Sequence, residues 1–325
     1  MKKALYIFLG LFMALWIVSP AWAQTNDAMM WLKGDYAGVG GINVDKFSKT
    51  PLFKDLMNFF STNKDVNQAF KIILDAGLVP EKVVDKIIVG VPNDVEKSEH
   101  IILWETSEKL ENYKEILTAR TDALEIRKHQ GIEYFATKRE NECLAIIDNV
   151  LVLGSELRVK EIIEAVATKY KKGPKRAALQ AEIKRTDKTK DAWFAFALTS
   201  KEQERIGRGD PIVDMTAAGV GTLKLGEIKS GSLSLDFGAG LKAAAFIGMV
   251  SEASAAQTSN LLMTLLQNGA VDEDVKELGL EAFLTGITFS SQKRDIRMNI
   301  NYDQEKFNRL IEVVTQFAKS ISPAQ

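Results

Sequence analysis

The sequence predicts an α+β fold, and three patterns carry the prediction. Strand-like apolar runs end repeatedly at a small polar residue where a helix begins. The helices show apolar residues at three- and four-residue spacing. Neighbouring strands are joined by turns too short for anything but antiparallel pairing. The first pattern recurs five times. The run 101–105 leads through Thr106 and Ser107 into 108–119, and 150–153 leads through Gly154 and Ser155 into 156–169. The run 193–198 leads through Thr199 and Ser200 into 201–206, where Ser200 and Gln203 have capping-box spacing. Two more follow: 241–250 through Ser251 into 252–266, and 296–302 through Asp303 into 304–319. At each start a hydroxyl or carboxylate is placed to accept from a first-turn amide that the helix itself leaves unbonded.

The second pattern is clearest in Val159, Ile162, Ile163 and Val166, and in Phe307, Leu310, Ile311, Val314 and Phe317. Each set forms one apolar stripe, which reads as core. The third pattern is carried by His129-Gln130-Gly131 between 124–127 and 132–137, and by Asp148-Asn149 between 143–147 and 150–153. Strands at 217–225, 228–237 and 241–250 are likewise separated only by Gly226 and by Gly238-Ala239-Gly240. Nearer the N-terminus, a strand is expected at 39–44. A helix begins at Thr50 as N-cap with Pro51 in its first turn, and a second helix runs to Ala76 and stops at Gly77.

The order of elements before residue 169 is echoed after residue 190. The expected organisation is therefore two similar halves, each an antiparallel sheet with helices packed on one face: 24–168, a basic helical connector at 169–190, and 191–325. Residues 1–23 stand apart. Met1-Lys2-Lys3, the apolar run 4–18 and the small-residue site Ala21-Trp22-Ala23 make a positive, then apolar, then cleavable sequence, which is the order of an export signal. The run is shorter than the roughly 20 residues a spanning helix needs. An uncleaved signal anchor is the competing reading. The expected location is outside the cytoplasm, periplasmic or secreted.

Gly77-Leu78-Val79-Pro80-Glu81, the strand-like 84–90, Gly131-Ile132-Glu133-Tyr134 and the run 145–154 together resemble a pattern in exported bacterial proteins of unknown function. The resemblance covers the N-terminal half. It implies a bacterial envelope protein with a duplicated α+β fold, and it offers no catalytic residues to carry over.

Chemistry is sparse. The single cysteine, Cys143, excludes an intramolecular disulfide and lies in the apolar run 143–147, where it reads as a small buried hydrophobe. The two histidines, His100 and His129, are far apart and read as exposed turn residues; with no cysteine cluster, no zinc spacing exists. The run 221–226 begins like a phosphate loop but continues into Glu227 where lysine is required. Gly38-Val39-Gly40-Gly41 lacks the helix and third glycine of a dinucleotide site, so these glycines read as easing strand twist or a bulge. Ser230-Gly231-Ser232 sits inside a strand pattern, and Asp272-Glu273-Asp274 lacks the downstream ligands of a calcium loop. No cofactor is expected, and no catalytic or metal-ligating residue is assigned.

Formal charge is near balance, with 42 Lys and Arg against 43 Asp and Glu, so net charge selects no partner. Its distribution does. Lys169, Lys171, Lys172, Lys175 and Arg176 open a stretch that stays basic to Lys190, and they are the candidate contacts for an anionic lipid or polymer surface. The arginine-aromatic interleaving of nucleic-acid readers is absent, so nucleic acid is not an expected partner. The expected role is a non-catalytic envelope protein that binds a ligand or partner. The alternative is a hydrolase using carboxylates brought together only in three dimensions.

Overall fold

The computed structural model describes residues 28–50, 53, 80–93, 100–107, 109–119, 124–138, 142–208, 213–214, 222–271, 276 and 281–321. The export signal at 1–23, the helices expected between Pro51 and Ala76 apart from Phe53, residues 217–221 of the strand expected at 217–225 and the Asp272–Asp274 run lie outside the described residues; of that strand, Thr222–Leu223 is extended and Leu225–Glu227 is a 3-10 turn. The fold is α+β, and its strand pairs are antiparallel. It comprises two compact units, one ending at Ala197 and the other starting at Leu198.

In the N-terminal unit the strands are β1 (Tyr36–Asn43), β2 (Val84–Pro92), β3 (Ile101–Thr106), β4 (Leu124–His129), β5 (Ile132–Thr137), β6 (Glu142–Ile147), β7 (Val150–Ser155) and β8 (Ala192–Ala197). Their spatial order is β8-β1-β2-β3-β7-β6-β5-β4. Strand β8, expected to open the C-terminal half, is hydrogen-bonded to β1, with Gly41 opposite Trp193 and Gly40 opposite Phe194. The two hairpins form as expected. Gln130 and Gly131 turn with φ of 48° and 82°, and Asp148 turns with φ of 54°. A two-residue hairpin demands that region, and Gly, Asn and Asp enter it at low cost.

Alternation along the strands sends one set of side chains to a single face. Val39, Ile88, Leu103, Val152, Ala145 and Tyr134 line it, and the Glu156–Ala167 helix covers it with Val159, Ile162 and Ile163. The Ala177–Arg185 helix adds Leu179 and Ile183, and the short turn Ala28–Trp31 adds Ala28, Met29 and Trp31. Leu179 and Ile183 thus join the basic segment to the same core as β1 and β8. By the same alternation Glu133 points the other way, and it pairs there with Lys114 of the Glu111–Thr118 helix at 3.1 Å.

The C-terminal unit orders its strands β13 (Ile287–Gln292), β14 (Asp295–Tyr302), β12 (Leu241–Met249), β11 (Ile228–Asp236). The apolar run at 241–250 is therefore a strand, with Ala243 and Ala245 buried. The Glu252–Val271 helix packs on β12, β13 and β14. In the Gln304–Ile321 helix, Phe307 stacks on Phe237 with ring centroids 5.7 Å apart. A two-stranded pair, β9 (Val213–Asp214) with β10 (Thr222–Leu223), completes the described strands.

The caps follow the expected pattern in part. Asp303 accepts from the Lys306 amide at 2.8 Å, Ser251 from Ser254 at 3.0 Å, and Thr50 from Phe53 at 3.3 Å. The capping box before Ser200–Arg208 forms one residue earlier than its spacing suggests. Thr199 Oγ1 accepts from the Glu202 amide at 3.3 Å, and the Glu202 carboxylate accepts from the Thr199 amide at 2.6 Å. Gln203 instead donates to the Ile228 carbonyl at 2.9 Å. Ser155 stands at the expected N-cap, yet its side chain makes no capping bond. Strand β7 runs two residues further than expected and holds Ser155 in the ladder opposite Glu142, so the sheet rather than the helix orients it.

Candidate functional site

The basic stretch, expected to be a helical connector, is helical only over Ala177–Arg185, and residues 169–176 form a loop stapled by hydrogen bonds. Its entry is the end of the Glu156–Ala167 helix, where the Lys169 amide donates to the Val166 carbonyl at 3.0 Å and the Tyr170 amide to Ala165 at 2.8 Å. That pair of bonds is a Schellman closure, which needs a left-handed residue between them. The residue is Lys169, with φ of 53°, where glycine would be the low-cost choice. Tyr170 then packs on the core and donates its hydroxyl to the Gly173 carbonyl at 2.8 Å. Gly173, at φ 71°, donates its amide to Met30 at 3.0 Å, and the Lys175 amide donates to Gly34 at 3.2 Å. From the following helix, Gln180 Nε2 donates to the carbonyls of Lys172 at 3.3 Å and Pro174 at 2.6 Å.

This backbone network leaves the lysine side chains outside. Lys169, Lys171, Lys172 and Lys175 are exposed, and among the described residues none of them pairs with a carboxylate. Arg176 behaves differently. Its side chain is only 9% exposed: Nε lies 3.0 Å from Asp35, Nη2 donates to Asn93 at 2.7 Å, and Nη1 donates to the Ala197 carbonyl. Burial works against the Asp35 carboxylate, but Arg176 and Asn93 hold it below the usual range. The five basic residues singled out in the sequence thus divide into four presented cations and one internal clamp. Arg176→Met is expected to lower stability by about 2 kcal/mol, the scale of bonds to charged groups, in urea unfolding. Binding of anions by the folded fraction should fall only modestly, through the Asp35 carboxylate that loses its counter-charge.

A second polar cluster lies at the start of the same helix. Glu156 accepts from Tyr134 at 2.6 Å, Arg127 at 2.9 Å and Lys160 at 2.8 Å. The Lys160 bond, followed by those of Tyr134 and Arg127, holds the Glu156 carboxyl down at about 2. A carboxylate ionised so firmly is a poor proton acceptor near neutral pH, so the cluster is better suited to holding the helix against β4 and β5 than to acid/base work. Because the folded value is depressed, Glu156 stabilises the native state fully above the ordinary glutamate range. That contribution is lost as pH falls from about 4.5 to about 2. Glu156→Gln is expected to flatten the acid limb of stability across that window, read as thermal midpoint against pH.

Cys143 is buried, and burial pushes its thiol up to about 12, far from thiolate chemistry. His129, expected to be exposed, is partly buried and lies 3.2 Å from Glu164; His100 lies 3.5 Å from Glu142. Glu164 also takes Lys33 at 3.0 Å, and Lys33 followed by His129 holds its carboxyl below the usual range. No group of three metal-ligating side chains occurs among the described residues. Among them, too, no helix is long and apolar enough to cross a membrane.

Sequence reasoning missed the Glu156 cluster and the ion pair of Lys86 with Glu105, which lie 2.5 Å apart with both side chains buried. The spacing of Glu156 and Lys160 was a usable signal for the first. Only strand register reveals the second, since Lys86 and Glu105 face each other across β2 and β3.

No family model matches the chain, and neither does any curated protein. Among solved structures, crystal form I of TP0453 is similar with a TM-score of 0.49 and 10% identity, covering 91% of this chain and 99% of that one. Crystal form III of TP0453 has a TM-score of 0.49 and 9% identity, covering 90% and 99%. At that identity the likeness concerns backbone course and assigns no residue a role.

Proposed function

We propose that the chain is a non-catalytic protein of the cell envelope that docks on an anionic surface through Lys169, Lys171, Lys172 and Lys175. One observation carries the reading: four exposed lysines without acidic partners among the described residues stand on a loop whose backbone is fixed by seven hydrogen bonds. A flexible lysine run loses backbone and side-chain entropy on binding, and a stapled one has only the side chains left to order. Lys169 fills the left-handed position of the Schellman closure at a cost that glycine would not carry. The duplication is part of the same proposal. In each unit a β-hairpin hands over to a long helix, β6–β7 to Glu156–Ala167 and β13–β14 to Gln304–Ile321.

The mature chain from Gln24 should bind vesicles of 30% phosphatidylglycerol in phosphatidylcholine, and raised salt should weaken that binding. Glutamine at all four lysines is expected to weaken it at least about 100-fold, since each lysine near such a surface is worth about 1 kcal/mol. Lys169→Gly is the sharper variant: it should raise stability by up to about 1 kcal/mol while weakening binding. Binding that ignores both the substitutions and the salt sinks the proposal.

A further inference from the structure

Resting on that docking reading, we infer that the lysine loop is the membrane-facing side of the N-terminal unit while the apolar run 4–18 is held in a bilayer, its partner being the anionic headgroups of that leaflet. The loop and the incoming chain run side by side. The Gly173 amide bonds Met30 at 3.0 Å and the Lys175 amide bonds Gly34 at 3.2 Å, so residues 30–34 form one wall of the loop. The incoming chain is itself fixed. Ala28, Met29 and Leu32 are buried in the core, and the Ala28 amide donates to buried Glu105 at 2.6 Å.

The length of the remaining tether sets the geometry. From Ala23 to Ala28 even a fully extended chain spans at most about 18 Å. A run inserted up to the cleavage site therefore keeps residues 28–34, and the loop bonded to them, near the leaflet it enters. The field of an anionic surface reaches about 8–10 Å at moderate salt, and lysine stems extend several ångströms beyond the backbone. Tether and charge act in the same direction: the first brings this face to the surface, and the second orients it there. Three carboxylates around the loop and the segment bonded to it do not oppose this strongly, since Asp35 is held by Arg176, Glu161 by Arg158 and Glu164 by Lys33.

The test uses the full chain with cleavage blocked by Ala23→Leu, reconstituted in vesicles of 30% phosphatidylglycerol. A fluorophore is placed at Ala177→Cys beside the loop, or at Ala181→Cys if the first substitution perturbs the fold. Lys138→Cys, just after β5 and five strands away from β1, serves as the comparison site, and buried Cys143 is left in place. A headgroup-bound quencher is expected to quench the loop-side label at least about threefold more than the label at 138. Replacing the anionic lipid with phosphatidylcholine should erase most of that difference. Equal quenching at the two sites in anionic vesicles overturns the inference, whatever the mature chain does. Capture of soluble polyphosphate but not anionic vesicles by the mature chain also overturns it, while leaving lysine docking intact. Failure of the mature chain to bind either one removes the docking reading itself.

Discussion

Glu105→Gln is expected to destabilise the protein by about 3–5 kcal/mol, because it strands the buried Lys86 ammonium without its counter-charge. The two side chains are 3% and 5% exposed, and the second Glu105 oxygen accepts from the Ala28 amide, so no water replaces the lost partner cheaply. The paired replacement Lys86→Met with Glu105→Leu should recover most of that loss, since an apolar pair of similar volume avoids the desolvation of both charges. Urea unfolding of the three variants reads the comparison directly. If Glu105→Gln costs less than about 1 kcal/mol, the pair is not ionised in the folded chain. Acidity adds a second check. Burial outweighs Lys86 and the Ala28 amide and pushes the Glu105 carboxyl upward. Its titration therefore favours the folded state fully below the ordinary glutamate value, and the benefit is lost as pH rises through its folded value. That sign is opposite to the one at Glu156.

Trp193→Ala is the other large effect, expected at about 3–5 kcal/mol for removal of a wholly buried indole. Trp193 lies on β8 directly opposite Gly41 of β1, and a Cβ at position 41 would meet its Nε1 at 2.6 Å. Gly41→Ala should cost about 1–3 kcal/mol by overpacking and should blue- or red-shift the Trp193 emission as the ring moves. In the Trp193→Ala background the same Gly41→Ala change should cost much less, because the methyl then enters vacated space. Additive losses would show that ring and glycine are not in contact. Trp193→Phe should be milder than Trp193→Ala, since it also removes an indole N–H that bonds nothing among the described residues.

The glycines around this ring show how far sequence reasoning reached. Gly38 to Gly41 were read as strand glycines rather than a nucleotide cradle, and β1 carries both the strand and a register shift between Tyr36 and Gly38. What pairing alone supplies is the reason for Gly38 and Gly41: a Cβ would strike the Phe194 and Trp193 rings, which come from a strand more than 150 residues away along the chain. The basic segment teaches the same lesson. Lys169 to Lys175 were legible as a charged stretch, because charge density is a local property. That Arg176 turns inward to Asp35, Asn93 and Ala197 was not, because those three partners are scattered through the sequence.

The amino-acid order alone determined many of the elements: apolar periodicity marked strands and helices, Thr199, Ser251 and Asp303 cap the helices that follow them, and Gln130-Gly131 and Asp148-Asn149 set the two hairpins, whereas the helix expected after Ser107 starts only at Glu111 without a capping side chain. These depend on neighbours within a few residues, where backbone sterics and capping bonds operate. Tertiary structure decided which cations stay in solvent, which carboxylates are neutralised, and that the lysine loop lies against the incoming N-terminal segment. Those outcomes follow from strand register and helix docking. Burial and charge pairing act through space, and the separation of two residues in sequence places no limit on either.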